Sequence, residues 1–289
     1  MLLCFEDYMA QTRKFAAALG KPCELVGVHR FPDGESRVTL PAQLGKRLVF
    51  CRSLDRPNDK LVELLLAATA ARRLGADHLT LVAPYLCYMR QDIAFHSGEA
   101  VSQAIIGRFL ADLFDTVVTV DPHLHRTRDL SDAVPANQAL ALSAAPLMGA
   151  FLRSHVDDCF LLGPDAESAQ WVQAVAAAGG CAFAVCSKTR TGDREVRISL
   201  PPIDLRRRKV VLLDDVASTG HTLAAAARQC LARGATRVDA LVTHALFVED
   251  AVDYLRHAGV GEIWSTDSVA HASNVIPLAE LLAGVVTLW

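Results

Sequence analysis

The segment that decides the fold is KVVLLDDVASTGHTL, which runs from Lys209 to Leu223. An apolar stretch leads through two acids into a turn of small residues around Gly220, and a helical pattern follows. An apolar run that ends in such a turn and continues as a helix is typical of one strand-turn-helix step in a parallel α/β sheet. Ligands of these sheets collect at the carboxyl ends of the strands, so the turn is a candidate binding site.

The composition of the turn indicates a phosphate site. Backbone N–H groups at the start of a helix converge on one point, and the helix dipole favours an anion there. The hydroxyl groups of Ser218, Thr219 and Thr222 can add donors. Asp214 and Asp215 would face the sugar of a bound phosphate monoester, where carboxylates accept hydrogen bonds from ribose hydroxyls or hold Mg²⁺. The alternative interpretation is an acidic pair followed by an ordinary Ser/Thr helix cap.

Similar apolar runs recur along the chain and alternate with helical patterns, which indicates the α/β class with a mainly parallel sheet. The predicted strands are 48–51, 79–83, 116–120, 160–162, 182–185, 210–213, 240–243 and 262–265. Two amphipathic helices are predicted at 58–74 and 222–233. They end at Gly75 and Gly234, because glycine readily adopts the left-handed conformation of a C-terminal cap.

Composition limits the class of protein. The 289 residues are 52% hydrophobic, which suits two α/β domains, and the net charge of -3 gives too little positive surface to predict nucleic-acid or anionic-membrane binding. The first residues, MLLCFEDYMAQTRK, lack the basic start and apolar stretch of a signal peptide, and no transmembrane span is apparent. The eight cysteines are scattered without a C-x-x-C pair, so we expect reduced thiols and a cytoplasmic protein.

The phosphate turn is neither GxxxxGK[ST] nor GxGxxG. It resembles the phosphoribosyl pyrophosphate loop shared by phosphoribosyltransferases and ribose-phosphate diphosphokinases, and further segments resemble the diphosphokinase family over nearly the whole chain. Ser218 and the K-T-R spacing at 188–190 resemble its shorter archaeal-type class. The resemblance implies two phosphoribosyltransferase-like domains, each a mainly parallel sheet flanked by helices. We place an ATP-binding domain at 1–143 and a domain with the ribose 5-phosphate loop at 144–289.

RFPDGESRV, at 30–38, is similar to the F-x-D-G-E element with which the family grips the ATP base from a neighbouring subunit. By that resemblance Phe31, Asp33, Gly34 and Glu35 contact ATP. Standing alone, the segment would equally be a plain D-G turn between two strands.

APYLCYMRQDIAFHSGEAVS, at 83–102, is close to the family's P-Y-x-x-Y-x-R-Q-D followed by G-E-x-x-S. A guanidinium and an amide presented after a strand can clamp triphosphate oxygens and hold a base edge. Arg90, Gln91 and Asp92 are therefore assigned to ATP. Without the family, Arg90 and Asp92 could be a surface ion pair.

Two further turns carry candidate metal ligands. TVVTVDPHLH, at 116–125, is similar to the family's V-D-x-H, which implies that His123 contacts ATP and metal and that Asp121 orients it; a histidine after a strand is otherwise usually structural. GPDAESAQ, at 163–170, resembles S-P-D-x-G-G, and Asp165 carries over as a metal ligand. Glu167 and Ser168 stand where the family has two glycines, which puts a close backbone approach in doubt.

CSKTRTGDREVRI, at 186–198, looks like the family's flexible catalytic loop, although a solvated loop would have the same composition. Lys188 and Arg190 match its essential Lys-x-Arg. His221 stands where many members have glycine, and its bulk and its possible positive charge have opposite effects on phosphate binding. The ribose 5-phosphate contacts implied by the resemblance are Arg190, Asp214, Asp215, Ser218, Thr219, Gly220, His221 and Thr222.

The family's reaction transfers the β,γ-diphosphate of ATP to the anomeric hydroxyl of ribose 5-phosphate and requires Mg²⁺. The products are AMP and phosphoribosyl pyrophosphate, which supplies nucleotide, histidine and tryptophan synthesis. A shared ATP site implies a homo-oligomer. Two alternatives stay open at this point: a non-catalytic regulator of the same fold that binds phosphoribosyl pyrophosphate or nucleotide, and a phosphoribosyltransferase.

Overall fold

The computed structural model describes residues 1–190 and 196–286, and it divides into two compact units. The first unit contains Met1–Leu142, Ser268–Ala270 and the segment that begins at Pro277. The second contains Ser143–Asp267 and His271–Ile276. Within the described part of the chain, no helix combines the length and the apolar character that crossing a membrane requires.

The first unit is built on a six-stranded, entirely parallel sheet and a separate antiparallel hairpin. Its strands are β1 (Leu2–Cys4), β2 (Cys23–Leu25), β3 (Gly27–Arg30), β4 (Ser36–Thr39), β5 (Arg47–Cys51), β6 (His78–Val82), β7 (Thr116–Val120) and β8 (Gln138–Leu142). Its first helices are α1 (Met9–Ala18), α2 (Pro57–Arg73), α3 (Ser102–Leu113) and α4 (Leu130–Ala133). The sheet order is β2-β1-β5-β6-β7-β8, and β3 pairs with β4 in the hairpin.

The second unit has the same construction. Its helices are α5 (Ala145–His155), α6 (Ala169–Gly179), α7 (His221–Ala232) and α8 (Ala251–His257). Its strands are β9 (Cys159–Gly163), β10 (Ala182–Val185), β11 (Ser187–Arg190), β12 (Val196–Ser199), β13 (Lys209–Ala217), β14 (Arg237–Ala245), β15 (Ile263–Thr266) and β16 (Asn274–Ile276). The parallel sheet has the order β10-β9-β13-β14-β15-β16, and β11 pairs with β12 as an antiparallel hairpin.

The two units therefore repeat one topology. When the strands of each sheet are numbered along the chain, both sheets have the order 2-1-3-4-5-6. In both units the hairpin lies in the chain between the second and third sheet strands. The segment around Phe31 and the segment around Lys188 thus occupy equivalent places in two copies of one fold, although no internal sequence repeat reveals it.

All eight predicted strands are confirmed, and both predicted helices begin and end within one residue of their expected bounds. Gly75 and Gly234 have φ values of 93° and 87°, which is the left-handed conformation expected of a C-terminal cap. Strand β13 is longer than predicted, because its parallel pairing with β14 continues to Ala217 opposite Ala245.

The centre of each sheet is buried by helices on both faces. Val210, Val211, Leu212 and Leu213 of β13 are completely buried, which explains why the segment reads as a continuous apolar run instead of an alternating one. In the first unit, the last helix, α9 (Ala279–Ala283), packs on α1. The C-terminal segment from Pro277 therefore belongs to the first unit, and the prediction that placed it in the domain at 144–289 is corrected.

Candidate substrate-binding sites

The turn after β13 begins α7 without a capping side chain. Gly220 is the N-cap residue, with φ 75°, and no side chain makes a capping hydrogen bond there. An ordinary Ser/Thr cap is therefore excluded. Since the first N–H groups of a helix have no partner within the helix, the start of α7 can accept an anion.

The turn is held on the segment that follows β14. The carbonyl oxygens of Ala217 and Ser218 accept hydrogen bonds from the N–H groups of Phe247 and Val248, at 3.0 and 3.1 Å. A Cβ atom at Gly220 would lie 3.2 Å from Leu255 Cγ and 3.3 Å from the Ala251 carbonyl oxygen. Glycine is thus required at this position both by the backbone conformation and by the packing of α8.

Three carboxylates gather at the carboxyl ends of β9 and β13. Asp214 and Asp215 lie within β13, and Asp165 comes two residues after the end of β9, which pairs with β13 through Leu162 opposite Leu212. The pKa of Asp214 is raised well above its usual value of 3.8, first because burial removes water and then because Asp215 and Asp165 are negatively charged. A cation at this edge of the sheet would offset that repulsion.

Asp165 also organises its own turn. Its Oδ1 accepts hydrogen bonds from the N–H groups of Glu167 and Ser168, at 3.1 and 3.2 Å, and so caps the short 3-10 helix Ala166–Ser168. The Ser168 hydroxyl donates to the Asp165 carbonyl oxygen at 2.6 Å. Neither Glu167 nor Ser168 has a positive φ, so the two residues that replace glycines form a capped turn that does not need them.

His221 is the first residue of α7, and its ring lies 4.7 Å from the ring of Tyr254 on α8. Arg228 Nη1 also donates to the Tyr254 hydroxyl at 3.4 Å. The imidazole therefore packs on α8. The bulk of His221, which the sequence suggested could hinder phosphate binding, is accommodated there. At the turn itself, His221 contributes the backbone N–H that every residue type has.

Lys188 and Arg190 lie on β11, opposite Ile198 and Val196 of β12. Their side chains are outside what the structure describes, as are residues 191–195 of the segment between the two strands. The expected catalytic residues therefore lie on the β11–β12 hairpin, which is separate from the six-stranded sheet of the second unit.

In the first unit, the β3–β4 hairpin presents the expected nucleotide residues in its loop. The Phe31 N–H donates to the Glu35 carbonyl oxygen at 2.8 Å, and Gly34 takes a φ of 94°. Phe31 is 39% exposed. A cleft of about 490 Å³ runs between the loop and α2, lined by Asp33, Gly34, Glu35, Ser36, Asp59 and Val62. Asp33 and Gly34 therefore form the turn between the two strands that the sequence indicated, and this turn borders a cleft.

The three residues after β6 that are expected to contact ATP differ in how exposed they are. Arg90 is exposed, and Gln91 Oε1 accepts a hydrogen bond from Ser102 at 3.1 Å. The Asp92 side chain is only 4% exposed, and its Oδ1 accepts from Arg126 Nη1 at 2.8 Å. The surface ion pair considered for Arg90 and Asp92 is thus replaced by a pair between Asp92 and Arg126, which no sequence pattern indicated.

After β7, the Nε2 atoms of His123 and His125 are 2.5 Å apart, and the rings meet edge to face. In such a contact between two imidazole nitrogens, one ring donates a hydrogen bond and the other accepts it. Asp121 precedes them in a left-handed conformation with φ 37° and is 6% exposed. No role was assigned to His125 from the sequence, although its position two residues after His123 could have suggested that the two rings act together.

A buried charge cluster beneath the hairpin was also missed. Glu63 of α2 is fully buried and contacts Arg30 and Ser36 on the two strands of the hairpin. Its second carboxylate oxygen accepts a hydrogen bond from Arg52 Nη2 at 2.6 Å, and Arg52 Nε in turn lies 3.1 Å from Asp7. In the sequence, Glu63 is simply one of several charged residues on an amphipathic helix.

Comparison with known proteins matches two successive parts of the chain to two families. Residues 1–116 match the family described as the N-terminal domain of ribose phosphate pyrophosphokinase, and residues 132–259 match the phosphoribosyl transferase domain. The ribose-phosphate pyrophosphokinase of Methanopyrus kandleri is 34% identical over 274 residues, which cover 94% of this chain and 93% of that protein. Ribose-phosphate pyrophosphokinase 2 of Archaeoglobus fulgidus is 35% identical over 272 residues, which cover 94% of both.

A crystal structure of phosphoribosylpyrophosphate synthetase from Mycobacterium smegmatis superposes with a TM-score of 0.84 over 98% of this chain and 96% of that one. At 22% sequence identity this likeness concerns the fold, and it matches the two mainly parallel sheets flanked by helices.

Proposed function

The chain belongs to the ribose-phosphate pyrophosphokinase family, and from that premise we infer that it makes phosphoribosyl pyrophosphate from ATP and ribose 5-phosphate. The observation that carries this conclusion is that relatives of that activity match 94% of the chain, both units included. A phosphoribosyltransferase would not account for the match of residues 1–116.

We assign the 5-phosphate of the sugar to the turn that starts α7. An uncapped helix start and the hydroxyls of Ser218, Thr219 and Thr222 supply donors for a dianionic group. Gly220 lets the backbone turn tightly, and His221 contributes its N–H. Asp214 and Asp215 stand on the strand just before the turn, where carboxylates can accept hydrogen bonds from the ribose hydroxyls.

We assign ATP to the first unit. Arg90 is exposed and can neutralise triphosphate oxygens, and Gln91 can read a base edge. Asp92 is too buried to reach far beyond Arg126, so its role is to orient that guanidinium. His123, paired with His125, can donate a ring N–H to a phosphate oxygen. The loop residues Phe31, Asp33, Gly34 and Glu35 would hold the base, with the exposed Phe31 ring as a stacking surface.

Mg²⁺ fits the donor chemistry of the second unit. Hard oxygen ligands suit this ion, and the carboxylates of Asp165, Asp214 and Asp215 provide them in a cluster where burial, and then mutual repulsion, raises the pKa of Asp214. When bound, the ion would neutralise phosphate oxygens. For the metal role of His123 the donor chemistry gives less support, because imidazole suits transition metals better than Mg²⁺.

In the reaction, the anomeric hydroxyl oxygen attacks the β-phosphorus of ATP, the bond from that phosphorus to the oxygen of the α-phosphate breaks, and AMP leaves while the hydroxyl proton is released. Such transfers depend on positioning and on charge neutralisation. We assign the neutralising cations to Lys188 and Arg190, which lie on β11 in the second unit and would exclude water if the hairpin covered the reactants.

The family resemblance further supports a homo-oligomer in which the β3–β4 hairpin completes the nucleotide site of a neighbouring copy. The exposed Phe31 is suited to that role. We place the protein in the cytoplasm, since none of its eight cysteines, which all lie in the described residues, forms a disulfide.

The deciding experiment incubates the purified protein with ATP, ribose 5-phosphate and Mg²⁺ and measures AMP and phosphoribosyl pyrophosphate together. We expect equal amounts of the two products. Lys188→Ala should lower kcat by at least about a hundredfold, the usual effect of removing one transition-state donor, while both substrates still bind.

Lys209→Ala provides the matched control, because Lys209 lies at the opposite end of β13 from the acids and has no assigned role. It should retain wild-type kcat. If the wild-type protein binds both substrates and forms neither product, the chain is a non-catalytic binding protein and the proposal fails.

A further inference from the structure

We propose that Glu63 is a positioning residue for the nucleotide site: it fixes the loop of the β3–β4 hairpin through hydrogen bonds to both hairpin strands. The inference rests on the proposed function, because it assumes that the loop 31–35 contacts ATP.

The geometry concentrates on one carboxylate. Arg30 and Ser36 are opposite each other in the antiparallel register, and they are the last pair before the loop begins. Glu63 Oε1 accepts from Arg30 Nη2 and from Ser36 Oγ, each at 3.2 Å. A single oxygen atom of α2 therefore contacts both ends of the five-residue loop.

The carboxylate is itself held in place. Its other oxygen, Oε2, accepts from Arg52 Nη2 at 2.6 Å, and Arg52 is anchored in turn by Asp7 and lies over the Phe5 ring. Glu63 is fully buried, and the Arg52 side chain is 4% exposed, so water does not compete for the hydrogen bond between them. The loop is thus connected through Glu63 to the core strand β5, which ends beside Arg52.

A carboxylate is required because both oxygens accept hydrogen bonds from cations. A carboxamide of the same shape has one accepting oxygen and one donating NH₂ group. In Glu63→Gln, either Arg52 or the Arg30 and Ser36 pair must face a donor, and a buried donor facing a guanidinium is strongly disfavoured. The Arg52 side chain is 4% exposed and cannot turn to water, whereas Arg30 is 57% exposed and keeps Asp59 at 3.2 Å, so the remaining amide oxygen stays with Arg52 and the hairpin is the partner that is released.

The test compares steady-state kinetics of Glu63→Gln, Ser36→Ala and wild type, with ATP and ribose 5-phosphate varied separately. We expect KM for ATP to rise about tenfold in Glu63→Gln, a factor that corresponds to about 1.4 kcal/mol, and about threefold in Ser36→Ala. KM for ribose 5-phosphate and kcat should stay within about twofold. Ser36→Ala keeps the test available if Glu63→Gln folds poorly, because it removes one hydroxyl from a half-buried site.

Asp115→Asn is the matched control for stability. Asp115 accepts from Arg72 at 2.6 Å, the same distance as the Glu63–Arg52 pair, but it lies before β7, at the opposite end of the strands from His123. It should lower the unfolding temperature without changing either KM. A purely structural role for Glu63 would make Glu63→Gln behave like Asp115→Asn, and that outcome, or an unchanged KM for ATP, overturns the proposal. Failure of the proposed function is separate, since wild type and control would then form no product.

Discussion

Replacing Gly220 by alanine should weaken both the fold and the binding of ribose 5-phosphate. The φ of 75° costs an L-residue about 1–2 kcal/mol, and the new Cβ, at 3.2 Å from Leu255 Cγ and 3.3 Å from the Ala251 carbonyl, adds about 1 kcal/mol of crowding. The turn must move to relieve those contacts. Misaligning one hydrogen bond to a charged phosphate costs about 1.4 kcal/mol, so KM for ribose 5-phosphate should rise about tenfold.

Gly180→Ala separates the two effects. Gly180 ends α6 in the same unit with a φ of 69°, and a Cβ there would meet no atom within 4 Å. It should lose only the conformational part of the stability, about 1 kcal/mol less than Gly220→Ala, and keep a wild-type KM. Urea unfolding and product formation at varied ribose 5-phosphate measure both quantities. Equal losses of stability and equal KM values in the two variants would refute the assignment of this turn as the phosphate cradle.

Two further predictions concern other parts of the molecule. Because the pKa of Asp214 is raised in the folded state, ionisation of this carboxyl destabilises the protein as the pH rises above 3.8. In metal-free buffer, Asp214→Asn should therefore have a higher melting temperature than wild type at pH 7 and the same one near pH 4, and it should lose turnover. A lower melting temperature at pH 7 would contradict the assignment of an unfavourable charge to Asp214. In the first unit, a Cβ on Gly107 would overlap the Ala133 carbonyl, so Gly107→Ala should cost about 3 kcal/mol in urea unfolding, and a wild-type midpoint would show that α3 and α4 do not pack this closely.

The phosphate turn could be predicted because its signal is local. A buried strand, two acids, a glycine and a helix follow one another within fifteen residues, and each imposes its conformation on its neighbours. All the interior strands except the three-residue β1 were recognisable for the same reason, since burial on both faces leaves an uninterrupted apolar run. Edge strands such as β2 and β8 were missed because they are partly exposed and their composition is mixed.

The supporting contacts could not be predicted, because they join residues far apart in the chain. Glu63 meets Arg30 thirty-three residues away, and Asp92 meets Arg126 thirty-four residues away. Nothing in the immediate neighbourhood of a charged residue on an amphipathic helix indicates whether it will face solvent or a buried guanidinium. The family resemblance named the residues that would touch substrate, while the structure adds those that hold them.

The return of α9 to α1 has a consequence for the order of folding during synthesis. Helix α1 is made among the first residues, but the helix that covers it is made among the last. The second unit can bury its sheet while the N-terminal unit still lacks part of its surface cover, so the half that is translated first is completed last. A nascent chain arrested before residue 277 should therefore expose apolar surface on its N-terminal half, and holdase chaperones should bind that surface.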